Sequence, residues 1–268
     1  MNSGPTQIET LIEISAGETS ADAVLGGKLV LRQPLRGHRF GHDSILLAAA
    51  TNARAGERAV DLGAGVGASG LALALRIGGL TVTLVEIDPA LAALARDNAA
   101  RNGLADRVRA ICLDVAAPAA AFTAAGLAPG SADHVLMNPP FNAAHNPSPD
   151  HGRRTARVAS DETLAKWLGT AARLLRPSGV VTLIWRADGL GNVLAALATG
   201  FGAVSILPVY PKPGAPAIRV LACAAKDRSA PLSLLPGLVL ADADGKPSAA
   251  AEAVLRDGAA LALLRAET

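Results

Sequence analysis

Cysteine is nearly absent from this chain of 268 residues: Cys112 and Cys223 stand far apart, with no paired spacing. Two thiols so placed build neither a disulfide framework nor a metal site, and both read as small buried hydrophobes in a reducing compartment. Charge of one sign is also scarce. A formal net charge of +2 does not mark a strong nucleic-acid binder, and twenty Arg beside five Lys fit an alanine-rich composition. Long clean apolar runs are missing too. The uncharged stretches Val115 to Ala132 and Gly189 to Pro211 are broken by Gly and Pro and poor in large side chains, so no membrane span is expected. Met1 to Ala23 carries Glu9, Glu13 and Glu18 without a basic or apolar leader region, and a cytoplasmic location is the expectation.

What is present begins with glycine in the right place. Arg58 to Gly70 reads Arg-Ala-Val-Asp-Leu-Gly-Ala-Gly-Val-Gly-Ala-Ser-Gly, a short apolar strand running into a glycine-rich turn and a helix over Leu71 to Ile77. Gly63 and Gly65 lack a Cβ, so the backbone can bend there and touch a ligand that helix N–H groups face. Gly65 to Gly70 also satisfies the dinucleotide fingerprint, but an acid precedes the glycines and nothing later resembles a hydride-transfer site.

Three further strands follow, and each ends on a polar side chain. Thr81 to Ile87 ends in Glu86-Ile87-Asp88-Pro89, Val108 to Leu113 in Asp114, and Ala132 to Met137 in Asn138-Pro139-Pro140-Phe141. With Asp61, four successive strand ends thus carry Asp61, Glu86, Asp114 and Asn138, all on the carboxyl edge where open α/β sheets bind ligands. Each acid taken singly also suits a helix cap. Glu86 suits ribose hydroxyls, and Asp114 an adenine amino group. The Asn-Pro-Pro-Phe loop suits a planar substrate bearing an NH2 group. Such a nitrogen is a poor nucleophile while its lone pair is delocalised; the Asn138 side-chain oxygen and the Pro139 carbonyl can accept its two N–H groups, Phe141 can stack on the ring, and the prolines preset the loop.

At this point the chain resembles the class I S-adenosylmethionine-dependent methyltransferases that methylate amino groups. The segment Gln33-Pro34-Leu35-Arg36-Gly37-His38-Arg39-Phe40-Gly41-His42-Asp43-Ser44-Ile45-Leu46-Leu47 is similar to the N-terminal segment of the bacterial adenine-N6 methyltransferases of valine tRNA, and the likeness covers about Leu31 to Lys226. The resemblance implies a Rossmann-like, doubly wound, mostly parallel seven-stranded sheet with an antiparallel edge. It implies S-adenosylmethionine as cofactor, held by Gly41, Asp43, Asp61, Gly63, Ala64, Gly65, Glu86, Ile87, Asp114, Val115 and Asn138. Asn138, Pro139, Pro140 and Phe141 would be the catalytic loop, with no metal. Many members have Tyr at the position of Phe141, and Phe is frequent in enzymes acting on guanine N2 of ribosomal RNA, so the acceptor is less defined than the reaction. DNA adenine, a glutamine amide, or a non-catalytic partner subunit are the other readings.

RNA, tRNA above all, is the expected partner. His151, Arg153, Arg154 and Arg157 follow the loop, and Arg32, Arg36, His38, Arg39 and His42 form a second basic group on the same rim; both can track a phosphate backbone, and both also suit solvated faces. His134, inside the fourth strand, reads as packed or edge-exposed, and Trp167 and Trp185 as core. Residues 1–27 read as a flexible arm, 28–226 as the methyltransferase domain and 227–268 as a peripheral extension. Past Asn138 the pattern gives a helix over Thr163 to Leu175, a strand over Val180 to Trp185, a helix over Leu190 to Ala198 and two strands, Val204 to Val209 and Ile218 to Ala225. Beyond Asp227 the expectation is a hairpin and a last short helix.

Overall fold

The structure, a computed structural model, describes residues 18–36, 39–140 and 151–263, the side chains of 151–161 excepted. Two antiparallel strands come first, β1 (Thr19–Val24) and β2 (Leu29–Pro34), in register from Thr19↔Pro34 to Val24↔Leu29. Their connection needs left-handed backbone, which Gly26 and Gly27 provide at φ +65 and +88. Then come α1 (His42–Ala50), β3 (Arg58–Leu62), α2 (Ala68–Arg76), β4 (Thr81–Glu86), α3 (Pro89–Arg101), β5 (Val108–Cys112), α4 (Ala119–Ala124) and β6 (Ala132–Met137). The second half adds α5 (His151–Leu174), β7 (Leu175–Arg186), α6 (Leu190–Leu197), β8 (Phe201–Tyr210), β9 (Arg219–Lys226), β10 (Ser233–Leu234), β11 (Leu238–Val239) and α7 (Ala249–Leu255).

The main sheet runs β10-β8-β9-β7-β6-β3-β4-β5, with β11 also on β8. β3, β4, β5, β6 and β7 are parallel to one another, while β9 is antiparallel to both β7 and β8. β3 and β4 are buried along nearly their whole length, as strands must be when helices cover both faces. Alternate side chains serve opposite cores: Val82 and Leu84 pack with Leu46, Leu71 and Leu73, whereas Val60 and Val85 pack with Leu164, Leu168 and Val181. The chain winds outward from β3 through β4 to β5 and then back through β6 to β7, so the crevice of this sheet opens at the carboxyl ends of β3 and β6.

The fold matches the expected α/β class, and four particulars differ. The seven expected strands are all present, and the sheet reaches nine because residues 233–239 run along β8 in its own direction as two short pieces. This is an interrupted edge strand in place of the expected hairpin: Pro236 has no N–H to give the ladder, so pairing lapses at Pro236 and Gly237, between Leu235 and Leu238. The expected arm is structured from Thr19 onward, because β1 alternates half-buried and exposed residues and pairs fully with β2. α5 begins twelve residues before the expected Thr163, since the helix anchored by Leu164, Leu168 and Ala171 propagates backward at little cost. Cys112 is exposed, because it ends β5 at the sheet edge; Cys223 is buried, and burial pushes its thiol up to about 12.

The β1–β2 hairpin joins the domain through two amides. On α3, Asn98 and Asn102 lie one turn apart, and each pairs with both backbone polar groups of one β2 residue: Asn98 with Arg32 (2.8 and 3.0 Å) and Asn102 with Val30 (3.0 and 2.8 Å). They complete the outer edge of β2 as a neighbouring strand would. Asn98 has no exposed surface and also donates to the Val66 carbonyl at 3.0 Å, which ties the hairpin to the glycine-rich turn. Asn98→Leu leaves three buried backbone groups without partners. It should cost about 3 kcal/mol or more in urea unfolding, against at most about 1 kcal/mol for Asn102→Leu at the exposed end.

Candidate active site

The strand order sets the four strand-end residues side by side. Asp114 follows β5, Glu86 ends β4, Asp61 lies near the end of β3, and Asn138 follows β6, on four consecutive neighbours of one sheet. Three glycines in left-handed backbone make the turn after β3: Gly63 (φ +69), Gly65 (φ +56) and Gly67 (φ +89), the last at the start of α2. The Ala64 N–H bonds the Val85 carbonyl at 2.9 Å, which pins the loop to β4. Among the described residues nothing stands within 4 Å of where a Gly65 Cβ would be. Gly63 differs from expectation, because a Cβ there would overlap the Trp167 ring, so packing demands that glycine as firmly as any ligand does.

Glu86 is buried, and its two oxygens accept from the Gly65 N–H (2.7 Å) and the Asp88 N–H (2.9 Å). It therefore holds the loop as well as lining the edge. Ile87 beside it leaves 61% of its surface exposed. Asp114 is exposed and caps the following turn by accepting from the Ala116 N–H at 2.8 Å. Val115 is buried, its carbonyl taken by the Thr170 hydroxyl at 2.8 Å. Asp61 is buried and accepts from the Gly70 N–H at 2.8 Å, near the start of α2. Burial pushes its carboxyl up to about 7; the Gly70 N–H pulls the other way, and the Glu86 charge adds to the rise.

Asn138 stands at the mouth of the crevice, followed by buried Pro139 and exposed Pro140. Its side-chain oxygen is shielded from water and has no hydrogen-bond partner among the described residues. An amide acceptor so placed is costly to leave unpaired. Phe141 lies outside the described residues. His151, Arg153, Arg154 and Arg157 fall on the first turns of α5, with side chains outside the description.

The N-terminal residues divide. Gly41 is the extended residue before α1, and Asp43 in its first turn pairs with Arg219 of β9 at 2.8 Å. Arg39 is committed to the hairpin: it donates to Pro34 O, Ser20 Oγ and Asp22 Oδ2. Asp22 gathers Gln33, Ser20 and Arg39, and the Gln33 amide above all holds its carboxyl below the usual range. Gln33 in turn accepts from the Phe40 N–H at 3.1 Å, so the hairpin steers the chain into α1. Arg32 contacts Thr19 and Asp97. Arg32 and Arg39 of this basic group thus hold the hairpin together, whereas Arg36 and His42 are exposed and His38 lies outside the described residues. His134 lies elsewhere: buried, bonded to Glu57 at 2.9 Å, with desolvation lowering its pKa. Sequence reasoning missed Asn98, Asn102, Gln33 and Trp167 as parts of the site's support; a polar pair one turn apart on a helix was the only signal of the first two.

Comparisons with known proteins point the same way. Residues 38–208 match the family model of the methyltransferase small domain. A tRNA1(Val) (adenine(37)-N6)-methyltransferase of Bacteroides thetaiotaomicron is 30% identical over 68% of this chain and 75% of that protein. The enzyme of the same name from Dickeya chrysanthemi is 28% identical over 82% of this chain and 87% of its own. Among solved structures, one from Agrobacterium tumefaciens described as a predicted O-methyltransferase superposes with TM-score 0.69 at 28% identity, over 82% of this chain and 98% of that one.

The raised Asp61 has a measurable sign. A carboxyl whose folded value is raised stabilises the fold fully below its unfolded value of 3.8, and that contribution is gone once pH has risen through about 7. Asp61→Asn keeps the acceptor for Gly70 and removes the titration. Between those pH values wild-type stability should fall relative to the variant by up to about 1.4 kcal/mol per pH unit. Urea midpoints across pH check this, and parallel curves would refute it.

Proposed function

The chain belongs to the methyltransferase small domain family, and from that premise we propose that it methylates the N6 amino group of an adenine in tRNA. It is a class I methyltransferase dependent on S-adenosylmethionine, as the sequence resemblance implied. When bound, that cofactor supplies a methyl group already activated on a sulfonium, so the protein's task is positioning. The residues present suit it. Gly65 leaves room at the loop, and exposed Ile87 offers an apolar face for a flat purine. We assign Gly41, Asp43, Asp61, Gly63, Ala64, Gly65, Glu86, Ile87, Asp114 and Val115 to its binding.

The observation that carries the acceptor chemistry is the shielded, unpartnered oxygen of Asn138. With the Pro139 carbonyl it can take both N–H groups of a planar amine, hold the nitrogen lone pair toward the crevice and stabilise the positive charge that grows on nitrogen. The proton leaves to water afterwards. Phe141 is assigned to stacking, and a base within folded RNA must be turned outward unless it lies in an open loop. His151, Arg153, Arg154 and Arg157 are assigned to the phosphate backbone, which makes RNA binding salt-sensitive. The curated relatives support tRNA adenine as acceptor, since both are named for it.

The purified protein and Asn138→Ala, incubated with methyl-labelled S-adenosylmethionine and total RNA, test this reading. N6-methyladenosine in the tRNA fraction, slowed about 100-fold or more in the variant, is the expected outcome. Label on guanine N2, on DNA or on a glutamine amide would keep the mechanism and replace the substrate. Label on a hydroxyl oxygen would favour the chemistry named for the Agrobacterium structure.

A further inference from the structure

A cavity of about 160 Å³ lies where the C-terminal segment meets the domain, away from the strand-end crevice. Its walls come from the later turns of α1 and α2, from the turn after β1 and from α7, with Ile45, Ala49, Ala72, Leu75 and Val254 facing it. The opposite ends of α1 and α2 carry Asp43 and the glycine-rich loop. The C-terminal segment forms one wall of this open-mouthed cavity: Val254 and Leu263 are buried, Leu261 N–H bonds Ala49 O at 2.8 Å, and Lys28 Nζ donates to Asp257 O at 3.0 Å. By volume it compares with the roughly 150 Å³ cavity that accepts benzene in an engineered protein core.

Its charge does not balance. Half-buried Arg76 lines the cavity, and its Nη2 donates to the Ala48 and Thr51 carbonyls, both at 2.7 Å. Among the described residues neither Arg76 nor Lys28 forms an ion pair. Asp257 is the single acid at the rim; it is exposed and pairs with neither. Two carbonyls satisfy geometry at one nitrogen and leave the guanidinium charge uncompensated in a desolvated setting, which lowers its affinity for its own proton. A desolvated charge is ordinarily neutralised by a counter-ion, and of the two cations Arg76 is the half-buried one while Lys28 is exposed; apolar walls with one or two convergent charges are the makeup of a small-molecule site.

We propose that this cavity binds a small organic anion, a monocarboxylate whose apolar body is about the size of one ring, with its carboxylate toward Arg76 and Lys28. The apolar walls take the ring, and the two cations favour an anion over neutral and cationic analogues. Such a ligand joins α7 to α1 and α2 and so stabilises the fold by mass action.

Titration calorimetry on the full chain tests the site with benzoate as probe, benzyl alcohol as its neutral counterpart, and Ala72→Met and Arg76→Gln as variants. Wild type should bind one benzoate with Kd on the order of 1 mM. Benzyl alcohol should bind about tenfold more weakly, by the loss of the charge-assisted contact. Ala72→Met fills the cavity and should abolish binding; Arg76→Gln should weaken benzoate about tenfold and leave benzyl alcohol unchanged. Benzoate binding should persist with saturating S-adenosylhomocysteine, which separates this site from the crevice. Equal affinity for the two probes, unchanged binding in Ala72→Met, loss of binding with S-adenosylhomocysteine, or no saturable heat up to about 20 mM would each overturn the proposal. The comparison of probes on wild type decides the matter even if a variant fails to fold.

Discussion

The carboxamide of Asn98 is the point on which the rest of the site depends. It is fully buried and makes three hydrogen bonds, two to Arg32 of β2 and one to the Val66 carbonyl in the glycine-rich turn. One side chain on α3 therefore fixes the separation between the N-terminal hairpin and the loop after β3. From the hairpin, Gln33 passes this constraint to Phe40 and so to the start of α1, where Gly41 and Asp43 sit. A buried polar network of this kind specifies geometry because each partner lost would remain buried and unsatisfied.

The crevice pairs a rigid floor with one open acceptor. Gly65 is held by Glu86, Gly63 is covered by Trp167, and Gly70 is bonded by Asp61, so backbone and carboxylates brace one another. This bracing carries an electrostatic cost, visible in the raised Asp61, which lies buried beside the like charge of Glu86. Asn138 is the exception, with its oxygen shielded and unbonded among the described residues. Methyl transfer from a sulfonium asks for little acid or base chemistry, and a site of fixed dipoles with one unmet acceptor suits a reaction governed by orientation.

Much of this was legible in the chain itself. Short segments rich in apolar and β-branched residues that lead to Asp61, Glu86, Asp114 and Asn138 announced parallel strands and the edge that binds ligands, because strands buried on both faces are predominantly apolar. Glycines at 63, 65 and 67 marked the tight turn, because left-handed backbone penalises any other residue. The arm and the C-terminal region were read less well. β1 has weak alternation and its partner lies beyond a turn, while residues 233–239 pair two at a time with a strand some thirty positions earlier.

Sequence alone therefore determined the elements from β3 to β9, their order and the residues at the strand ends, since each depends on local backbone preference or on the period of apolar side chains, and its motifs carried the family resemblance. Only the tertiary structure decided which of those residues are free to meet a ligand. Arg39 and Arg219, basic in the sequence, are engaged by Asp22 and Asp43, and Asn98, one polar residue on a helix, proves to be buried at the joint of three elements. Partners such as these come from positions far apart in the chain, and no local pattern encodes which polar groups will be desolvated together.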